Sequence, residues 1–302
     1  MASVKEDLRE IAHGWRWGRR PLVPHSAEPY APAPKPDVFP TAWARTPAAG
    51  VARELILRYG LRPVVWSETA PQIHGLDNLA AVRGPVMFVS NHTSHLDASL
   101  IMTSLPERFR EKTAVGAAKD YFFDVWWRSA FTALVYAGFP IDRTGGSGAT
   151  DTAKELVRAG WSLVVFPEGG RSPDGWTQRF RHGAARLSIE LGVPVVPIGI
   201  RGAYAAMPKG RSWPKPGRPP ISVRYGRALR PEEGETHQDL SRRMTQAIAE
   251  LLDEDRTTWW ESLRRAERDE TPATSGPQGP SWLRVWEGSR SPARRTKPPA
   301  WT

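Results

Sequence analysis

The residues best suited to chemistry are His92 and Asp97, in the run Val86-Met87-Phe88-Val89-Ser90-Asn91-His92-Thr93-Ser94-His95-Leu96-Asp97. Four residues separate them, a spacing that lets the carboxylate reach back to one imidazole nitrogen. A histidine held in this way has a fixed tautomer, and its other nitrogen is free to take a proton. The chemistry on offer is general-base activation of a hydroxyl. The same spacing also fits a capped turn with a polar lining, and nothing within the run separates the two. His92-x2-His95 with Asp97 also imitates a set of zinc ligands, although no further ligand cluster accompanies it in the sequence.

Three more polar or proline-marked blocks follow. Gly138-Phe139-Pro140-Ile141-Asp142-Arg143 is a tight extended turn ending in an arginine that can fork onto a phosphate or pair with Asp142. Phe166-Pro167-Glu168-Gly169-Gly170-Arg171-Ser172 comes directly after the apolar Leu163-Val164-Val165. Its glycines let the backbone approach a ligand closely. Arg171 adds positive charge, and Glu168 is placed to position Arg143 or a substrate hydroxyl. Val193-Pro194-Val195-Val196-Pro197-Ile198 carries no chemistry and is expected to form a wall. Between the last two, Arg181 and His182 begin a helix, where anions are favoured.

The elements needed to position these blocks are legible from hydrophobic periodicity. Strands are expected at 86–90, 113–118, 139–142, 161–166, 193–200 and 221–225. Helices are expected at 97–105, 121–136, 149–159, 183–191 and 237–252, the first of them capped by Thr93 or Ser94. The alternation implies an α/β domain with a largely buried sheet, and polar blocks at the carboxyl ends of its strands. Ahead of it lie a possible helix at 4–17, a proline-rich stretch at 21–47 and an amphipathic helix at 48–61. Beyond residue 255 come a Trp-Trp pair and an Arg/Glu-rich helical segment. From residue 271 the composition predicts disorder, apart from Trp282-Leu283-Arg284-Val285-Trp286. The expected division is an N-terminal arm at 1–66, a domain at 67–255 and a basic, mostly disordered tail at 256–302.

Composition sets the outer limits. The 302 residues are 40% hydrophobic and 25% charged, with a net charge of +10. That charge draws the chain to polyanions, whether nucleic acid, anionic membranes or phosphorylated substrates. With no cysteine in the chain, disulfides, thiolate metal sites and cysteine nucleophiles are excluded. The fourteen tryptophans suit either a membrane–water boundary or core packing. No signal peptide is evident at the start, and no apolar run is long enough to span a bilayer.

Taken together, the four blocks resemble those of the glycerolipid acyltransferase family, which includes bacterial 1-acylglycerol-3-phosphate acyltransferases. The match covers Asn91-His92-x4-Asp97, Gly138 to Arg143, Phe166 to Ser172 and Val193 to Pro197, in order, within about residues 70–230. The resemblance implies a glycerol-3-phosphate acyltransferase-like fold, with a mixed sheet flanked by helices. It also implies acyl transfer from acyl-CoA or acyl-carrier protein to a lysophospholipid hydroxyl, with 1-acylglycerol-3-phosphate the default acceptor. His92 would be the base and Asp97 its orienting partner. Arg143, Glu168, Gly169, Gly170 and Arg171 would bind the glycerol-phosphate head, joined by Asn91, Ser94 and Lys119. No metal or bound cofactor is expected, nor a nucleic-acid partner. The protein is expected at the cytoplasmic face of an anionic membrane, as a peripheral protein. The alternatives are a different hydroxyl acceptor, or a non-catalytic lipid- or nucleic-acid-binding protein. One departure stands out: the third block usually reads Glu-Gly-Thr-Arg, and Gly170 removes that hydroxyl.

Overall fold

Phe88, at the centre of the expected first strand, is completely buried, as are Met87, Val89 and Ser90 beside it. A strand with no exposed face belongs inside a parallel sheet covered on both sides. The computed structural model describes residues 39–141, 147–290 and Pro292. The helix expected at 4–17, most of the proline-rich stretch and Arg143 lie outside the described residues.

Helix α1 (Pro47–Leu55) begins behind Thr46, whose hydroxyl accepts from the Ala49 N–H. It runs through a π-helical stretch, Ile56–Leu61, into α2 (Arg62–Glu68). The helix expected to end at residue 61 thus continues one element further. Pro63 cannot donate to the preceding turn, and the widened stretch just before it absorbs that loss. Strands β1 (Ala70–His74) and β2 (Met87–Ser90) follow, then α3 (Leu96–Ser104) and β3 (Thr113–Ala118). Next come α4 (Trp126–Tyr136), β4 (Phe139–Ile141), α5 (Ser147–Arg158), β5 (Ser162–Val165), α6 (Gly183–Leu191) and β6 (Val195–Arg201). Strand β7 (Pro220–Tyr225) precedes α7 (His237–Arg256), α8 (Trp259–Glu267) and α9 (Ser281–Gly288).

The strands form one seven-stranded sheet in the order β1-β7-β6-β2-β5-β3-β4. Neighbours pair in parallel except β6 with β7. The sheet is therefore mixed, and β6, β2, β5, β3 and β4 all point their carboxyl ends the same way. Alternate side chains of β2 feed two cores. Phe88 packs with Leu57, Val65, Leu100 and Ile101 on one face. Met87 and Val89 pack with Leu156, Leu187, Leu240 and Met244 on the other. Helix α3 is buried nearly all round, as an apolar helix without a polar face must be.

Two sequence expectations need correction. The helix expected at 121–136 is broken, because Val125 is extended and α4 restarts at Trp126. Asp124 faces back to Arg128 across that new first turn, at 2.8 and 2.9 Å. The segment after residue 271 is ordered as far as Arg290 and rests on the domain, with α9 inside it. Composition pointed to disorder there because its prolines and glycines bury little apolar area. It is held largely by hydrogen bonds and an ion pair instead.

Candidate active site

His92 leaves the end of β2 at the middle of the sheet. Its main chain is fixed from two sides. The His92 N–H donates to Glu168 Oε1 at 2.6 Å, and its carbonyl accepts from the Ser172 N–H at 2.8 Å. The side chain is fixed from two more. Nδ1 lies 2.9 Å from Asp97 Oδ2, and the ring stacks on Phe166 with centroids 4.1 Å apart. This leaves Nε2 as the nitrogen directed away from Asp97.

Asp97 is fully buried in the first turn of α3. Its Oδ2 also accepts from the N–H groups of Thr93 and Ser94, at 2.7 and 2.8 Å. The expected cap is thus reversed: the aspartate inside the helix satisfies the donors in front of it, where the helix terminus favours negative charge. The Ser94 hydroxyl donates to Met207 O at 2.8 Å and accepts from the Leu96 N–H at 3.3 Å. The Asn91 side chain pairs with both backbone groups of Ile200, each at 2.8 Å, and ties β2 to β6. Asn91 and Ser94, expected among substrate-binding groups, therefore spend their side chains on backbone.

Glu168 is likewise bonded to backbone. It is 4% exposed, and its second oxygen accepts from the Gln178 N–H at 2.7 Å. Burial pushes its carboxyl up to about 8, against the pull of the two N–H bonds. Its two oxygens brace the turn from either side. Gly169 has a φ of +74°, which favours glycine, and a Cβ there would lie 2.7 Å from the Arg181 Nε and push that side chain aside. Gly170 follows it, half-buried.

Arg171 is brought to the dyad. Burial lowers its guanidinium, while Tyr121 and Asp97 are close enough to favour its charge. His95 lies beside it. Its Nε2 is 3.3 Å from the Tyr121 hydroxyl, and the two rings stack with centroids 5.6 Å apart. Burial, with the nearby Arg171 and His92 charges, lowers His95 to about 3. His95 thus turns to Tyr121, and the zinc-like spacing does not become a cluster. Among the described residues, no three His, Cys, Asp or Glu side chains are grouped to hold a metal ion. Lys119 is half-buried just past the end of β3, where β3 pairs with β4.

Sequence reasoning missed the His95–Tyr121 pair and the Phe166 stack. Both join residues across separate strand ends, and only the strand order makes them neighbours. A cleft of about 1050 Å³ lies elsewhere, lined by His74, Arg224, Glu254 and Trp259 among others, without either dyad residue. Arg224 there is already paired, at 2.7 Å to Glu254 and 3.1 Å to Asp255.

Comparison with known proteins agrees with this geometry. Residues 70–201 match the family model described as Acyltransferase. A chloroplastic 1-acyl-sn-glycerol-3-phosphate acyltransferase, BAT2 of Brassica napus, is 35% identical over 142 residues, 46% of this chain and 39% of the relative. The 1-acyl-sn-glycerol-3-phosphate acyltransferase alpha of Mus musculus is 35% identical over 152 residues, 46% of this chain and 50% of the relative. The chain spans about half or less of the length of these curated relatives. The crystal structure of the 1-acyl-sn-glycerophosphate acyltransferase PlsC of Thermotoga maritima superposes with a TM-score of 0.54 at 23% identity. That match covers 68% of this chain and 84% of PlsC, and it establishes a shared fold. The stretch that matches the Acyltransferase family model, residues 70–201, includes the histidine and aspartate at the end of the central strand.

Proposed function

We propose that the chain transfers an acyl group from a thioester, acyl-CoA or acyl-carrier protein, to the free hydroxyl of lysophosphatidic acid. The observation that carries this reading is the braced His92–Asp97 pair with the half-buried Arg171 beside it. The relatives' names supply the acceptor class. His92 Nε2 takes the proton of the acceptor hydroxyl, and the oxygen attacks the thioester carbonyl carbon. Asp97 keeps the ring oriented and stabilises the positive charge formed on it, in the manner of a triad whose serine is the substrate's own oxygen. Collapse of the tetrahedral intermediate breaks the C–S bond, and the thiolate leaves with the proton held by His92. Arg171 receives the acceptor's phosphate, with Lys119 as a second cation and Arg143 as a third. No bound cofactor or metal enters this sequence.

The reading includes a membrane. Val51, Leu55 and Tyr59 form an exposed apolar stripe from α1 into the π-helical stretch, and Trp126 and Phe131 are exposed on α4, which packs against α1. Arg53 joins these helices, its Nε donating to Leu134 O at 2.8 Å. Apolar and aromatic side chains beside arginines suit the surface of an anionic bilayer. Among the described residues no helix is long and apolar enough to cross a membrane. The working picture is a peripheral protein on the cytoplasmic face, where donor thioesters are found.

The test is thiol release from a long-chain acyl-CoA with three additions: lysophosphatidic acid, a lysophospholipid whose phosphate is a diester, and buffer. Release with lysophosphatidic acid alone supports acyl transfer to an acceptor recognised by its phosphate monoester. Equal release with both lipids moves recognition away from the phosphate monoester. Release in buffer alone makes the chain a thioesterase.

A further inference from the structure

The segment after α8 lies outside the residues matched by the family model, yet it is attached to the loop that braces the dyad. That loop is 171–178, and each of its ends is tied to the site. The Ser172 N–H bonds to the His92 carbonyl at 2.8 Å, and the Gln178 N–H to Glu168 at 2.7 Å. The middle of the loop is held by α9 and the chain leading into it.

Arg284 is the centre of that attachment. Its Nε donates to Asp174 Oδ2 at 2.8 Å, and its Nη2 lies 2.7 Å from the same oxygen. Nη1 donates to Pro277 O at 2.8 Å and Nη2 to Ser275 O at 2.9 Å. One guanidinium therefore holds the loop leading into its own helix and grips the 171–178 loop, a fork that lysine cannot reproduce. The Arg284 carbonyl accepts from the Trp176 indole at 2.9 Å, and Thr274 O accepts from the Thr177 N–H at 3.1 Å. Gly276 lies against the Trp176 ring, where a Cβ would collide with it, and Arg256 sits over the same ring at 5.1 Å. Gly288 packs backbone to backbone on Asp174 and Gly175.

Within the loop, Asp174 Oδ1 accepts from the Trp176 N–H at 3.2 Å and the Ser172 hydroxyl at 3.1 Å. Asp174 thus links Arg284 to Ser172, whose N–H bonds the His92 carbonyl. Arg171 is the residue immediately before Ser172, and its carbonyl accepts from the Gln178 side chain at 3.3 Å. The same segment walls a cleft of about 530 Å³ that reaches Asn91 and Thr93 on either side of His92 in sequence.

We infer that Arg284 is a positioning residue: through Asp174 it sets the loop that carries Arg171, so the C-terminal segment completes the acceptor side of the site. Loops positioned by a scaffold lose geometry quickly when an anchor is cut, and misplacement of a binding group is read in KM for the molecule it holds. The inference rests on the proposed acyl transfer only for its kinetic part.

The experiment compares full-length wild type with Arg284→Ala, Arg284→Lys and Asp174→Asn, using hydrogen–deuterium exchange and steady-state kinetics. In Arg284→Ala, amides in peptides covering 171–178 exchange about tenfold faster, while those of β2 and β5 are unchanged. KM for lysophosphatidic acid rises about tenfold, KM for the acyl donor stays within about twofold, and Arg284→Lys recovers part of the loss. The Asp174→Asn variant gives the same pattern and stands in if Arg284→Ala does not fold. Adding Asp174→Asn to Arg284→Ala costs little more than either alone, since the two act through one contact. Unchanged exchange in 171–178 overturns the inference. So does faster exchange with acceptor KM unmoved, or an equal rise in both KM values. If wild type transfers no acyl group, the proposed function fails, and the exchange result still decides whether the segment sets the loop.

Discussion

Asp97 Oδ2 receives three groups at once, from His92, Thr93 and Ser94, and this fixes both the histidine and the turn that presents it. Glu168 does the same for the main chain, one oxygen to each of two loops. Its amide analogue, Glu168→Gln, offers only one acceptor oxygen, so it leaves one buried N–H facing an amino group. That variant is expected to lose about 1–3 kcal/mol of stability, read as a lower midpoint in urea. An unchanged midpoint would show that the brace is not needed. His95 gives a pH prediction. Its folded value, about 3, lies below the ordinary 6.5. A depressed base favours the folded state above the unfolded value, and that contribution is lost as pH falls from 6.5 toward 3. Replacing it with the uncharged His95→Gln should flatten this part of the stability profile relative to wild type, measured by thermal melts from pH 7 to 3.5. Parallel profiles would contradict the assignment. At this scale the spacing of His92 and Asp97 was legible, and the two side chains meet at 2.9 Å. The backbone partners of Asn91, Ser94 and Glu168 were not legible, because they lie far along the chain and carry no sequence signature.

Elements place these side chains, and most were legible. The runs at 86–90 and 113–118 are apolar and short, and α6 matches its expected bounds, Gly183–Leu191. The helix at 121–136 was misjudged because its composition is continuous across Asp124. Only the extended Val125 and the Asp124–Arg128 pair show that two elements meet there. The turn after β5 is tightly constrained at Gly169. Gly169→Ala there meets both a positive φ and the Arg181 side chain. It should cost about 1–3 kcal/mol and reduce acyl transfer with it. Full stability and activity in that variant would mean the turn relaxes freely.

The whole molecule adds the surface and the tail. A net charge of +10, and an apolar stripe through Val51, Leu55 and Tyr59, predict binding to anionic vesicles that weakens as salt rises. Co-sedimentation should fall by more than half between about 50 and 500 mM salt, and Val51→Asp should reduce it at low salt. Salt-sensitive binding to DNA with none to vesicles would instead favour the nucleic-acid reading of that charge. In the tail only Trp282–Trp286 stood out from the sequence, and α9 forms there; the attachment was not legible, since Arg284 is one basic residue among 42 lysines and arginines until Asp174 is seen opposite it.

The central claim is that His92 is the base of an acyl transfer to a hydroxyl. The most direct test is acceptor-dependent thiol release from acyl-CoA by wild type, His92→Ala and His95→Ala, at one pH and with lysophosphatidic acid saturating. The account predicts that His92→Ala loses about 10²–10⁴ in rate with its fold intact, and that His95→Ala is harmed far less. Comparable rates for wild type and His92→Ala, or a greater loss in His95→Ala, would contradict it.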